Sequence, residues 1–209
     1  MSEIIYLIDD DEAIRDSLSI LLETMNWSVV SFPGAQDFLD VINKANISEL
    51  QGCILLDIRM PGKPGLILQD DLLKLNNTLP VIIMTGHGNI DICRRAFKNG
   101  AFEFLTKPID ADLLIETVSN ALSFHQKIFK QRQVYEQLKA KFSQLSDRES
   151  EVMKIILEGK TSKQIAQQLA LSPRTIEVHR ANIFHKLDIH SLPQLVKEYE
   201  ILKSLSFCD

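Results

Sequence analysis

The residues of this 209-residue chain best suited to chemistry are four aspartates, a threonine and a lysine at widely separated points. Asp9, Asp10 and Asp11 follow one apolar run, Asp57 follows a second, Thr85 closes a third, and Lys107-Pro108 comes just after a fourth. Brought together, Asp9, Asp10 and Asp57 would repel one another by about 4 kcal/mol per pair at ~4 Å and an effective dielectric near 20. A hard divalent ion with oxygen ligands, Mg2+, offsets that repulsion while keeping several waters and a position for a phosphate oxygen. The Thr85 hydroxyl and the Lys107 ammonium then suit a phosphoryl group carried on a carboxylate. For Asp11 and Glu12, a helix-start role favoured by the helix dipole stands beside the functional one.

Only a particular scaffold brings such distant residues to one place. Short β-branched apolar runs occur at Ile4–Ile8, Val29–Phe32, Cys53–Leu56, Val81–Thr85 and Phe102–Leu105. Between them lie helical patterns over Glu12–Asn26, Ala35–Lys44, Leu66–Leu75 and Asn89–Asn99, with a fifth starting near Ala111. This alternation predicts a five-stranded, doubly wound parallel sheet of the flavodoxin-like kind, an α/β fold with helices on both faces. Ligands of such sheets gather at the carboxyl ends of the strands, where all the residues above fall.

Charge separates the chain into parts. Residues 1–124 carry nine Lys and Arg against eighteen Asp and Glu, residues 125–145 five against one, and residues 146–209 nine against nine. An acidic first part, a basic connector and a neutral last part predict two modules with different partners. The apolar runs fall far short of the ~18 residues that a membrane span needs, so no membrane association is expected. The acidic N-terminus is unlike a secretory signal, and Cys53, Cys93 and Cys208 lack metal-ligand spacing, which together predict a cytoplasmic protein with reduced thiols.

After residue 145 the pattern becomes wholly helical. Ser146 with Glu149, Thr161 with Gln164, and Ser191 with Gln194 have capping-box spacing, and Ser172-Pro173 is a fourth helix start. A helix over Thr161–Ala170, a short turn and a second helix over Pro173–Leu187 predict a helix-turn-helix in a smaller all-α domain. Ile165, Ala166, Leu169, Leu171, Ile176, Ile183 and Leu187 should pack its two helices together. In the connector, Ala121, Phe124, Ile128, Gln131, Tyr135, Leu138, Phe142 and Leu145 alternate at spacings of 3 and 4, the seam of a coiled coil or of a helix packed on its own domains.

The segments Ile8-Asp9-Asp10-Asp11-Glu12, Leu55-Leu56-Asp57-Ile58-Arg59-Met60-Pro61-Gly62, Met84-Thr85-Gly86 and Leu105-Thr106-Lys107-Pro108 resemble the receiver domain of two-component response regulators. The resemblance implies that Asp57 accepts a phosphoryl group from a sensor histidine kinase and that Asp9, Asp10, Asp57 and the Arg59 carbonyl bind Mg2+. It further implies that Thr85 and Lys107 hold the phosphoryl oxygens, that Phe104 repacks on activation, and that the Lys107-Pro108 bond is cis. Arg59 and His87 would flank the path of hydrolytic water and prolong the modified state, a reading that stands beside plain solvent exposure.

Leu145-Ser146-Asp147-Arg148-Glu149, Glu151-Val152, Gly159, Ile165-Ala166, Leu171 to His179 and Lys186-Leu187 resemble the LuxR-type helix-turn-helix. Together the two resemblances point to the NarL/FixJ class: a receiver over 1–122, a helical linker over 123–143 and a DNA-binding domain over 144–209. They imply base contacts from Glu177, Val178 and Ala181, and phosphate contacts from Lys163, Arg174, Thr175, Arg180 and Lys186. The expected function is phosphorylation-controlled regulation of transcription, with a homodimer forming on phosphorylation and binding double-stranded promoter DNA. It is not that of a dedicated enzyme, although slow hydrolysis of the phosphoryl group fits. The alternative is a receiver-containing transcription factor that works without phosphate. An Asp-nucleophile phosphohydrolase of the haloacid dehalogenase kind is disfavoured, because Arg59 stands where its second acid would be.

Overall fold

The computed structural model describes residues 3–42, 50–86 and 90–206, with the backbone alone for 90–92. Strands β1 (Ile4–Ile8), β2 (Ser28–Phe32), β3 (Gly52–Asp57), β4 (Val81–Thr85) and β5 (Glu103–Thr106) form one parallel sheet in the order β2-β1-β3-β4-β5. Helices α1 (Glu12–Thr24), α2 (Ala35–Ile42), α3 (Gly65–Lys74), α4 (Ile90–Lys98) and α5 (Ala111–Phe142) connect and follow them. This is the doubly wound order whose switch point lies between β1 and β3. Every residue of β3 is buried, as its unbroken apolar run requires of a central strand covered on both faces. One core lies on each side of the sheet: Phe38, Ile54, Leu56, Leu68 and Ile83 on one, Leu22, Leu55, Ile82, Leu114 and Val118 on the other.

Register sets the level of the chemistry. Ile8 pairs with Leu56, so Asp9 and Asp57 leave adjacent strands side by side. Thr85 pairs with Thr106, so Lys107 emerges next to it, and the Lys107 N–H donates to the Thr85 carbonyl at 2.7 Å. Behind Asp57 the chain turns back so tightly that a Cβ on Gly65 would stand 2.1 Å from the Asp57 carbonyl oxygen. At the opposite end of the sheet, the Gly52 N–H donates to Nδ1 of His125 on α5 at 3.3 Å. His125 is buried with Nε2 unpartnered, and desolvation lowers its pKa.

The chain divides into two compact units, Met1–Phe129 and Lys130–Asp209, with the boundary inside α5. The ends of the connector seam are used by the unit that holds them. Ala121 is buried in the sheet's core and Leu145 in the helical core, and Phe142 packs against Tyr199 with tilted rings 5.8 Å apart. Phe124 is exposed but touches Phe102, and Gln131 is exposed.

The second unit comprises α6 (Asp147–Leu157), α7 (Ser162–Gln168), α8 (Pro173–Lys186) and α9 (Leu192–Leu205). Its core holds Ile165, Ala166, Ile176, Ile183 and Leu187, with Leu169 and Leu171 packed against them, as the spacing predicts. Ser146 and Glu149 form a full capping box. Gln164 accepts from both the N–H and the hydroxyl of Thr161, at 2.9 Å each. At α9, Gln194 instead reaches one residue further back, to the His190 N–H. Glu149 is buried, and it also accepts from the Lys186 ammonium at 2.7 Å, tying α6 to the end of α8. The Lys186 hydrogen bond, followed by the Ser146 N–H, holds the Glu149 carboxyl down to about 2.

Two outcomes follow from this packing. Gly65→Ala should destabilise the first unit by about 1–3 kcal/mol by overpacking, whereas Gly86→Ala, whose Cβ meets nothing within 4 Å, should change little. Chemical denaturation followed at Trp27, the single tryptophan, checks both. Glu149 binds its proton in the unfolded chain near its ordinary value of 4.5 and in the folded unit only near about 2. The stability it contributes is therefore complete above about pH 4.5 and is lost as pH falls towards about 2. Glu149→Gln should lower helical-unit stability by about 1.5–3 kcal/mol and flatten that acid limb in far-UV circular dichroism, with the Trp27 transition unmoved.

Candidate functional site

The carboxyl ends of β1, β3 and β5 deliver one electrostatic cluster. The Lys107 ammonium lies 2.6 Å from an Asp9 oxygen and 2.6 Å from an Asp57 oxygen, bridging the two carboxylates. The Lys107-Pro108 bond is cis. Asp9 is fully buried, Asp57 is 4% exposed and Thr85 is 1% exposed. Asp57 therefore lies just beneath the surface at the strand ends, with Thr85 on the next strand.

The second oxygen of each carboxylate has a partner of its own. The other Asp57 oxygen accepts from the Arg59 N–H at 2.6 Å, and the other Asp9 oxygen accepts from the Asp11 N–H at 3.0 Å. Burial pushes the Asp57 carboxyl up, and it stays raised although Lys107 and the Arg59 N–H pull it down. Burial pulls the Lys107 ammonium down, but its hydrogen bonds and charge interactions with Asp57 and Asp9 outweigh that and raise it. The ammonium is thus held charged between two acids.

Asp10 stands exposed at the mouth. Asp11 takes the structural role open to it: as N-cap of α1 its side chain accepts from the Ala13 and Ile14 N–H groups. The Arg59 side chain is exposed beside the opening, and Phe104 is half-buried on β5 against the core. His87, the expected helix ends at Lys44 and Asn89, and Cys208 lie outside the described residues. All the donors here are oxygens, and two of the carboxylates converge on one cation, which is the donor chemistry of a hard ion. Among the described residues no three His, Cys, Asp or Glu side chains form a ready-made cage.

A contact that the sequence reading missed involves Arg15, whose guanidinium Nη1 donates to the carbonyls of Asp9 at 2.8 Å and Asp10 at 3.0 Å. The available signal was its place one turn into a helix that begins at the acid cluster, which sets its side chain over that loop.

In the second unit, α8 presents Arg174, Glu177, Val178, Ala181 and Lys186 as exposed residues, with Thr175 and Arg180 half-buried and Lys163 exposed on α7. Val178 is 54% exposed. The Thr175 hydroxyl bonds to Ser172 at 2.8 Å, inside the turn between the two helices. Lys186 is partly committed as well, since its ammonium pairs with Glu149. Among the described residues no helix is long and apolar enough to cross a membrane.

Comparison with known proteins covers both units. The family described as "Response regulator receiver domain" matches residues 5–119, and "Bacterial regulatory proteins, luxR family" matches residues 143–199. The chain is 39% identical over 193 residues to the transcriptional regulatory protein FixJ of Bradyrhizobium diazoefficiens, covering 92% of each. It is 36% identical over 202 residues to the response regulator protein TodT of Pseudomonas putida, covering 97% of this chain and 87% of TodT. Among solved structures, the response regulator StyR matches with a TM-score of 0.86 at 34% identity, over 96% of this chain and 99% of that one. Full-length FixJ from B. japonicum matches with a TM-score of 0.59 at 36% identity, over 98% and 99%. Receiver domains of this kind typically use Mg2+ at their phosphorylation site. With a receiver sheet ending in Asp9, Asp57 and Lys107, and a LuxR-type helix-turn-helix after it, the chain belongs to the NarL/FixJ class of two-component response regulators, which are transcriptional regulators.

Proposed function

We propose that Asp57 is the phosphoryl acceptor of a switch that controls promoter occupancy. The observation that carries this reading is the Lys107 ammonium held between Asp57 and Asp9. A cation already fixed beside the acceptor can follow the phosphoryl group as its charge arrives. In the transfer, the P–N bond of a sensor kinase's phosphohistidine breaks and a P–O bond to an Asp57 oxygen forms, with the electron pair leaving on the imidazole. Asp9, Asp10, Asp57 and the Arg59 carbonyl would hold Mg2+. An ion that is usually bound through one or two carboxylates and keeps several waters needs no closed cage of protein ligands. When bound, it neutralises charge on the transferring group.

Lys107 and the Thr85 hydroxyl then bind the phosphoryl oxygens, Phe104 repacks, and the surface of α4, β5 and α5 changes shape. Two receivers pair by population shift. The connector seam around Ile128, Tyr135 and Leu138 is a second surface through which two copies would pair. The domains in this reading are a receiver over 1–122, a linker over 123–143 and a DNA-binding domain over 144–209, working in the cytoplasm on promoter DNA.

On DNA, Glu177, Val178 and Ala181 read base edges. Lys163, Arg174, Thr175, Arg180 and Lys186 set register on the phosphates, with Lys186 sharing its charge with Glu149. A helical unit with no net charge binds weakly as a single copy, so pairing supplies the affinity.

Intact mass and sedimentation with Mg2+ and a small phosphodonor test the reading. Wild type should gain one phosphoryl group and dimerise, and Asp57→Ala should do neither. No mass gain, with DNA binding equal in both proteins, would favour the phosphate-independent alternative. Arg59, exposed at the mouth, slows hydrolysis by obstructing water, so Arg59→Asn should speed phosphate release a few-fold. An unchanged release rate would leave Arg59 as a solvated side chain.

A further inference from the structure

The loop that carries the acidic pair is tied at nearly every backbone group. The Asp9 N–H donates to the Phe32 carbonyl at 3.2 Å, and the Asp11 N–H donates to the Asp9 carboxylate at 3.0 Å. The Asp11 side chain caps α1, and the Arg15 N–H donates to the Asp11 carbonyl at 3.0 Å as the first helical bond. The carbonyls of Asp9 and Asp10 remain, and one guanidinium nitrogen of Arg15 takes both, at 2.8 and 3.0 Å. These are charge-assisted bonds to two successive peptide groups, so they fix the planes on either side of Asp10. Asp10 is exposed, so the surrounding core does little to fix its side chain and its backbone is the means by which its carboxylate can be aimed.

We propose that Arg15 is a positioning residue for the acidic pair, clamping the Asp9 and Asp10 carbonyls so that both carboxylates are preset for a divalent cation. The proposal rests on the reading above that Asp9 and Asp10 hold that cation. Arg15 has two opposite influences on it. As a charge near the loop it repels a cation, an effect that salt screens. As a clamp it orders the ligands, an effect that salt leaves intact. Residues that orient metal ligands in this way typically contribute 10- to 100-fold in affinity, so the clamp outweighs the repulsion.

The test is Mg2+ titration calorimetry on full-length wild type, Arg15→Ala, Arg15→Lys and Asp10→Ala, at about 0.05 M and about 0.5 M NaCl. It is paired with hydrogen exchange at the Asp11 amide in metal-free protein. Arg15→Ala should raise the Mg2+ dissociation constant about tenfold at both salt concentrations, with Arg15→Lys between it and wild type. Its Asp11 amide should exchange about tenfold faster. Unfolding at Trp27 identifies any general loss of fold, and if Arg15→Ala shows one, Arg15→Lys carries the comparison. Unchanged or tighter Mg2+ binding, a difference that vanishes at high salt, or an Asp11 amide that exchanges at the wild-type rate would overturn the clamp. Wild type that binds no Mg2+, or binds it equally well after Asp10→Ala, would instead overturn the underlying reading.

Discussion

Two buried carboxylates a few ångströms apart cannot both stay ionised without a counter-charge, and in this protein Lys107 supplies it. Much of the receiver can be understood as what is needed to hold that ammonium in place. The parallel order sets β1 and β3 side by side, so Asp9 and Asp57 emerge together, and β4 separates β3 from β5, leaving Lys107 to reach across past Thr85. The continuous burial of β3 makes the platform stiff, and Gly65 lets the chain return beneath Asp57 without pushing it out of line. A charge placed on Asp57 would therefore perturb a balance among three strands rather than one side chain.

The helical unit solves a different electrostatic problem with the same kind of pair. Glu149 caps α6 and takes the Lys186 ammonium, which joins the first and third helices of the bundle through one carboxylate. That use of Lys186 withdraws part of a positive charge from the exposed face of α8, the face proposed above to meet DNA. In a unit of balanced charge the loss matters, and under that proposal it would shift the weight of phosphate contact toward Arg174, Arg180 and Lys163.

The strands were legible because their apolar runs are short, β-branched and bounded, and each observed strand begins and ends within one residue of its run. The site was legible for a related reason. In a parallel sheet the chemistry lies just past strand ends, so reading the strands also reads Asp9, Asp57, Thr85 and Lys107. What escaped were contacts in which a charged side chain meets backbone or a distant carboxylate. Nothing in the sequence marked Arg15 or His125 for the backbone contacts they make, and Glu149 read as a cap and Lys186 as a phosphate contact without a sign that they pair, because residue type and spacing carry no information on what a long side chain reaches. The connector was half legible: its seam predicted a helix continuing from the receiver, and α5 does run to Phe142, while the two ends of the seam belong to the cores of separate units.

The parallel sheet also orders events during synthesis. Asp9 emerges first, Asp57 some fifty residues later, and Lys107 only after β5, so an amino-terminal fragment that stops before Lys107 lacks the counter-charge of the cluster. Until Lys107 arrives, the two aspartates form an unbalanced pair that resists burial, and the early strands have an electrostatic reason to stay open. The last strand of the sheet thus supplies the charge that lets the first and third be closed over their acids, and completion of the sheet and neutralisation of the cluster become one event.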